Sequence, residues 1–203
     1  MNEQQQSLQE LHHIKQMMER SSRFISLSGL SGISAGLFAL LGAWFAVKRI
    51  SMYAHEKSID YETLLSQLII IAALVLIAAF VAAFIFTYLR SRRNGVSIWG
   101  TTTYRMLINL AIPLIAGAFF VTRIVQMDHI FLIAPTCLLF YGLALINASK
   151  YTLGEIRYLG YCELILGIIN LWVPGYGLIF WAAGFGVLHI IYGIIMWWKY
   201  ERV

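Results

Sequence analysis

Segment 68–86 consists entirely of apolar residues, and no other feature of the chain restricts its fold more tightly. As an α-helix, a run of this length extends about 30 Å, the thickness of the hydrocarbon core of a bilayer. It is far too long for a single β-strand. Of the 203 residues, 60% are hydrophobic and 12% are charged. Soluble domains are about 45–50% apolar and about 25% charged, so the chain is predicted to be an integral membrane protein.

Six segments are long and apolar enough to cross a bilayer once each. The predicted helices cover 24–47, 64–89, 106–122, 130–148, 153–172 and 177–198. Because the connections at 126–129 and 173–176 are short, helices 3 and 4 are predicted to pair, as are helices 5 and 6. The fold class is therefore predicted to be an all-α, polytopic membrane protein. Its six transmembrane helices form three antiparallel hairpins in one domain, 24–203.

Basic residues are distributed unequally between the two sides of this predicted arrangement. Of the 15 Lys and Arg residues, eleven precede helix 1, follow helix 6, or lie between helices 2 and 3 and between helices 4 and 5. Such segments are cytoplasmic by the positive-inside rule, so both termini are predicted to be cytoplasmic. This distribution accounts for most of the net charge of +5. No nucleic-acid partner is expected.

Residues 1–23 are predicted to form a separate amphipathic helix. Ser7 and Glu10 have the spacing of a capping box, and apolar residues then recur at helical intervals. Such a helix either lies on the inner membrane surface or packs on the cytoplasmic loops of the protein itself. Arg20 and Arg23 stand among serine hydroxyl groups, where they either bind a lipid phosphate or cap the membrane interface. Membrane lipids are thus expected partners.

Small residues recur every four positions on helix 1, at Ser28, Gly32 and Gly36. This spacing lets two helix backbones approach closely, and close packing drives helix association in lipid. The stripe is predicted to pack against another helix. That helix belongs either to the same bundle, or to a second copy in a homodimer or a partner membrane subunit. Two prolines, Pro113 in helix 3 and Pro135 in helix 4, are predicted kink sites.

The most informative residues are Glu163 in helix 5 and His189 in helix 6, because ionisable side chains at membrane depth are costly and tend to be functional. One face of helix 5 carries Arg157, Gly160, Glu163, Gly167 and Asn170. One face of helix 6 carries Gly186, His189 and Gly193. A turn centred near Pro174 places His189 about one helical turn from Glu163. A hydrogen bond between them is then easy to form, and Arg157 or Tyr192 can join the network.

Several functions fit such a buried polar site. A carboxyl group beside an imidazole relays protons, binds a cation, holds a polar ligand, or simply clamps two helices. The leading hypothesis is a membrane-embedded binding, regulatory or accessory subunit. The first alternative is a small proton- or cation-linked transporter or channel. The second is a lipid-acting enzyme, although the sequence shows no recognisable catalytic residues and leans away from an enzyme. No metal or cofactor is predicted, since the ligand spacings of known sites are absent.

Two stretches near the ends of the chain add a resemblance. They read MERSSRFISLSGLSGISAGLFALLGAW at 18–44 and LGYCELILGIINLWVPGYGLIFWAAGFGVLHIIYGIIMWWKYER at 159–202. Together they cover about a third of the chain. They resemble a family of small, multi-span bacterial inner-membrane proteins that has no assigned activity. The resemblance implies a multi-helix protein of the bacterial inner (cytoplasmic) membrane and gives no residue a role.

Overall fold

A computed structural model describes residues 27–55, 60–95 and 98–202, and this part of the chain is helical and contains no β-strand. The all-helical prediction is therefore confirmed. The helices are α1 (Gly29–His55), α2 (Tyr61–Arg93), α3 (Thr101–Gln126), α4 (Ile133–Ala148), α5 (Glu155–Trp172) and α6 (Gly177–Tyr200). Short 3₁₀ turns, Ile130–Leu132 and Ser149–Tyr151, flank α4. The predicted N-terminal helix, with Arg20 and Arg23, lies outside the described residues.

Five helices are long and apolar enough to span a membrane, namely α1, α2, α3, α6 and α4 with its flanking turns (Ile130–Tyr151). By length and composition, these helices confirm the prediction of a multi-pass membrane protein. The exception is α5, whose 18 residues include Glu155, Arg157 and Glu163. Charged side chains lower the mean hydropathy of α5, and one of them, Glu163, lies in the interior of the protein.

The helices pack as two groups that meet along α6. In the first group, α1 contacts α2 on one side and α6 on the other. In the second group, α4 contacts both α3 and α5. The first half of α6 also packs against α4, and this contact joins the two groups. Although α5 and α6 are consecutive, they contact each other much less than α5 contacts α4.

The small-residue stripe of α1 packs against α6 of the same chain. A Cβ atom at Gly32 would lie 3.1 Å from the Gly193 Cα atom, and one at Gly36 would lie 2.6 Å from the Gly186 carbonyl oxygen. Ser28, at the start of the stripe, is also buried. The stripe is therefore covered by another helix of the same bundle, which was the first of the alternatives, and a homodimer or partner subunit stays a prediction.

The glycines of α5 and α6 face different neighbours, which corrects the prediction that the two glycine faces meet. On α5, Gly160 lies against Gly142 of α4, and Gly167 lies against Leu139 of α4. On α6, Gly186 and Gly193 lie against α1. Residues spaced by three or four share a helix face, but the spacing does not say which helix covers that face.

Two further differences from the prediction concern the end of α1 and the position of Pro135. Helix α1 continues to His55, beyond the predicted end at 47, so Lys48 and Arg49 belong to its last turns. Pro135 lies in the first turn of α4 rather than in its interior. A proline there costs no helical hydrogen bond, because the first backbone N–H groups of a helix have no intrahelical partner. Pro113 does lie inside α3, as predicted.

Polar contacts join several helix ends on one side of the bundle. The Glu201 carboxylate accepts hydrogen bonds from the Ser28 hydroxyl group and the Gly29 N–H group at the start of α1. It also lies 3.2 Å from the Arg90 guanidinium group at the end of α2. Lys199 and Tyr200, at the end of α6, donate hydrogen bonds to Glu155 at the start of α5. The start of α1, the end of α2, the start of α5 and the end of α6 therefore lie together.

Candidate functional site

Glu163 is completely buried between α4, α5 and α6, with 0% of its surface exposed. Its carboxyl group lies against Gly184 of α6, and a Cβ atom at Gly184 would clash with both Glu163 Oε2 and the Leu138 side chain of α4. The absence of a side chain at position 184 thus makes room for the carboxyl group. Sequence reasoning singled out Gly186 instead. Gly184 and Gly186 both lie within five residues of His189, and the sequence does not show which of them faces the carboxyl group.

His189 joins Glu163 to a third polar residue. Its Nδ1 atom lies 3.5 Å from Glu163 Oε1 and 3.0 Å from the Gly184 carbonyl oxygen. Its Nε2 atom lies 2.8 Å from the Tyr141 hydroxyl group of α4. Because a carbonyl oxygen only accepts, Nδ1 carries a hydrogen and donates it to Gly184. In the neutral imidazole, Nε2 is then an acceptor and Tyr141 is its donor.

The geometry brings together a hydroxyl group, an imidazole ring and a carboxyl group in that order. Sequence analysis missed Tyr141, because it is one of many aromatic residues in apolar segments and no spacing links α4 to α6. The Tyr141 ring stacks on His189 with ring centroids 5.4 Å apart. The Phe185 ring lies 5.0 Å from that of Tyr141 and 6.0 Å from that of His189. Two aromatic rings therefore pack beside the imidazole.

The segment of α6 beside Glu163 is a π-helix, Ala182–Leu188. A π-helical turn contains one more residue than an α-helical turn, and such turns are frequent at functional sites. The His189 side chain hydrogen-bonds the carbonyl group of a residue in this segment, Gly184. The position of the acceptor of the Nδ1 hydrogen bond therefore depends on the local geometry of α6.

Four buried side-chain oxygen atoms lack hydrogen-bond partners in the described part of the chain, and three of them lie on α5. These atoms are Gln67 Oε1, Glu163 Oε1, Glu163 Oε2 and Asn170 Oδ1. Leaving a buried polar group unpaired costs about 1–3 kcal/mol, and more for a charged group. Both Glu163 oxygens therefore have capacity for a further partner. The Asn170 amide group donates a weak bond of 3.4 Å to the Val173 carbonyl oxygen, at the far end of α5.

Two residues that were predicted to join this network lie elsewhere. Arg157 is exposed, and its nearest hydrogen-bond partner is the Ser149 hydroxyl group at 3.4 Å. Tyr192 packs against an apolar cluster of Leu145, Ile156 and Leu159. Arg157 on α5 and Tyr192 on α6 therefore contact other groups, and neither hydrogen-bonds the Glu163 carboxyl group.

The described residues contain no group of three or more His, Cys, Asp or Glu side chains that could hold a metal ion. Cys162 is exposed and Cys137 is partly buried, and both are free thiols. Cys162 directly precedes Glu163 on α5, so the two side chains leave the helix in different directions. Cys162, Glu163 and His189 thus do not assemble into a shared ligand set.

Comparisons of the chain with models of protein families, with curated proteins and with solved structures found no match. The resemblance to small inner-membrane proteins stays a prediction.

Proposed function

We propose that the protein crosses the bacterial inner membrane six times, as three antiparallel hairpins, with both termini in the cytoplasm. Besides the five apolar helices, we propose that α5 also spans the membrane. It packs along α4 despite its charged residues. The polar contacts at the Glu201 end of the bundle support this topology, because they join helix ends that a six-span chain places on one side. The basic residues Arg90, Arg92 and Arg93 lie at that same end, as the positive-inside rule requires.

Cysteine labelling tests this topology. Single cysteines are placed near the C-terminus, in the α2–α3 loop and in the α3–α4 turn, in a variant that lacks Cys137 and Cys162. A membrane-impermeant thiol reagent should label only the α3–α4 cysteine from the outside. The other two should be labelled only after the membrane is opened. Labelling of the C-terminal cysteine from outside would contradict the six-span topology.

We infer that the protein is a membrane-embedded binding or regulatory component rather than a structural spacer. The single observation that carries this proposal is the Glu163 carboxyl group, which is fully enclosed yet unpaired on both oxygens. A purely structural clamp gains stability by satisfying its polar groups, and a half-satisfied network is worse than an apolar core. An unpaired carboxyl group beside a glycine and an imidazole is better suited to taking up a ligand.

A proton- or cation-linked transporter is the second candidate. It is favoured by a series of polar groups on α5, α6 and α4, from Asn170 and Glu163 to His189 and Tyr141. Against it stands the complete burial of Glu163, since a transport site must open to each side of the membrane in turn. Tight packing around the carboxyl group therefore favours binding over transport.

Reconstitution distinguishes the two candidates. The purified protein is placed in lipid vesicles that contain a pH-sensitive dye, and gradients of protons, Na⁺ or K⁺ are imposed. For a binding or regulatory component, dye signals should match those of protein-free vesicles. The Glu163→Gln variant serves as a matched control, because it keeps the shape of the side chain. A flux that the wild type shows and Glu163→Gln lacks would establish transport and overturn the regulatory proposal.

A further inference from the structure

We propose that Tyr141, His189 and Glu163 form a proton relay that loads one proton onto the Glu163 carboxyl group. This inference rests on the proposed function, for which it names the ligand as a proton. The two ring nitrogens of His189 have separate partners, with Tyr141 at Nε2 and with Gly184 and Glu163 at Nδ1. An imidazole with partners at both nitrogens can accept a proton at one and release a proton at the other.

The distances place the groups in the order that a relay needs. The Tyr141 hydroxyl group is 2.8 Å from Nε2, a normal hydrogen bond. On the other side of the ring, Nδ1 is 3.5 Å from Glu163 Oε1. That separation is longer than a hydrogen bond, so the Nδ1–H group must turn from Gly184 toward Glu163 before it transfers its proton. The Gly184 oxygen at 3.0 Å and Glu163 Oε1 at 3.5 Å are therefore alternative acceptors for the same N–H group.

The proton balance of the step is simple. The Nδ1 proton passes to the Glu163 carboxylate, which becomes a carboxylic acid. Nε2 takes the proton of the Tyr141 hydroxyl group, and Tyr141 takes one proton from outside the site. The net change is one proton added to Glu163, and the imidazole is left neutral with its hydrogen on Nε2. No other bond is made or broken, and no oxidant or reductant is needed.

The charge state of Glu163 decides which acceptor Nδ1–H prefers. A hydrogen bond to a carboxylate is roughly twice as strong as one to a neutral acceptor, so an ionised Glu163 attracts Nδ1–H away from Gly184. Transfer of the proton to Glu163 leaves Nδ1 without a hydrogen, so the loaded state loses the Nδ1–H bond to Gly184 that this structure shows. Because Gly184 lies in the π-helical segment Ala182–Leu188, proton loading is coupled to the geometry of α6.

The surroundings assign the titration to these three residues. The titratable groups that face Glu163 are Tyr141 from α4 and His189 from α6. Tyr192, also on α6, packs against the apolar cluster described above and is a further titratable neighbour of Tyr141. Glu155 and Lys199 lie at the end of the helices, where they pair with each other. Tyr141 is partly exposed as a residue, whereas Glu163 is fully buried, so we take the Tyr141 hydroxyl group, the partner of Nε2, as the entry point for a proton.

Infrared difference spectroscopy of the full-length protein in lipid tests the relay. After a jump from alkaline to acidic pH, the wild type should gain a carboxylic-acid C=O band that is absent in Glu163→Gln. The matched control is Glu155→Gln, which removes a carboxyl group at the helix end and should keep the band. Tyr141→Phe should keep the band but gain it roughly 100-fold more slowly, because the entry group is lost.

Each result decides the proposal. Loss of the band in Glu163→Gln together with slow loading in Tyr141→Phe supports the relay. A wild-type spectrum with no Glu163-dependent change between the two pH values overturns proton binding. Loading of Tyr141→Phe at the wild-type rate overturns the relay. These outcomes are separate from the flux assay, which can exclude the regulatory function while the infrared band remains.

Discussion

The Gly36→Leu variant should unfold far more readily than the wild type. A Cβ atom at this position would lie 2.6 Å from the Gly186 carbonyl oxygen and equally close to the Ile190 side chain. A backbone oxygen cannot rotate away as the end of a side chain can, so α1 and α6 must separate. Overpacking of this kind costs about 1–3 kcal/mol or more. Thermal unfolding in detergent micelles, followed by circular dichroism, measures the effect.

Gly154→Leu is the matched control for this experiment. Gly154 has ordinary helical dihedral angles, with φ −62°, and no atom lies within 4 Å of a Cβ atom built there. Its replacement adds the same side chain without a clash and should leave the unfolding temperature close to that of the wild type. Equal unfolding temperatures for Gly36→Leu and Gly154→Leu would show that α1 does not pack on α6 through this stripe.

The second large effect is expected at His189. Replacing it with alanine removes both the hydrogen-bond partner of the Tyr141 hydroxyl group and the imidazole neighbour of Glu163. Each buried polar group left unpaired costs about 1–3 kcal/mol, so His189→Ala should be more destabilising than Glu163→Gln, which keeps the volume of the side chain. Reversible unfolding by denaturant in mixed micelles gives the free-energy differences.

A double-mutant cycle separates the pair from its surroundings. Tyr141→Phe and His189→Ala remove the two ends of one hydrogen bond, so their free-energy costs should not add when the substitutions are combined. Tyr158→Phe serves as the control, because Tyr158 is 69% exposed on α5. It should cost little alone and add normally to His189→Ala. Additive costs for Tyr141→Phe and His189→Ala would show that the bond contributes nothing to stability.

The helical fold could be predicted from the sequence because hydrophobic length is a local property. Each apolar segment is long enough by itself to indicate a membrane span, whatever its neighbours are. Glu163 could be identified as a candidate functional residue by the same reasoning, since a carboxyl group within such a segment is costly. The arithmetic of the α5–α6 turn also predicted that His189 lies near Glu163, and the His189 Nδ1 and Glu163 Oε1 atoms are 3.5 Å apart.

The rest of the site depends on contacts between distant segments, which no local pattern contains. Tyr141 reaches His189 from α4, and 48 residues separate them in the chain. The π-helical segment of α6 packs against α1 and α5, and no residue spacing in the sequence predicts it. The partners of Gly160, Gly167, Gly186 and Gly193 were misjudged for the same reason. A period of three or four residues identifies a face, while only the three-dimensional structure identifies the helix that covers it.

The central claim is that the Glu163 carboxyl group serves function rather than stability. The most direct test replaces the chromosomal gene with one encoding Glu163→Gln, in the organism that carries this chain. Competitive growth is then compared with that of the wild type, a Glu155→Gln strain and a deletion strain, under the condition in which the deletion costs most. We predict that the Glu163→Gln protein accumulates to wild-type amounts, yet the strain grows like the deletion. Growth equal to that of the wild type would contradict the claim and leave Glu163 a structural residue.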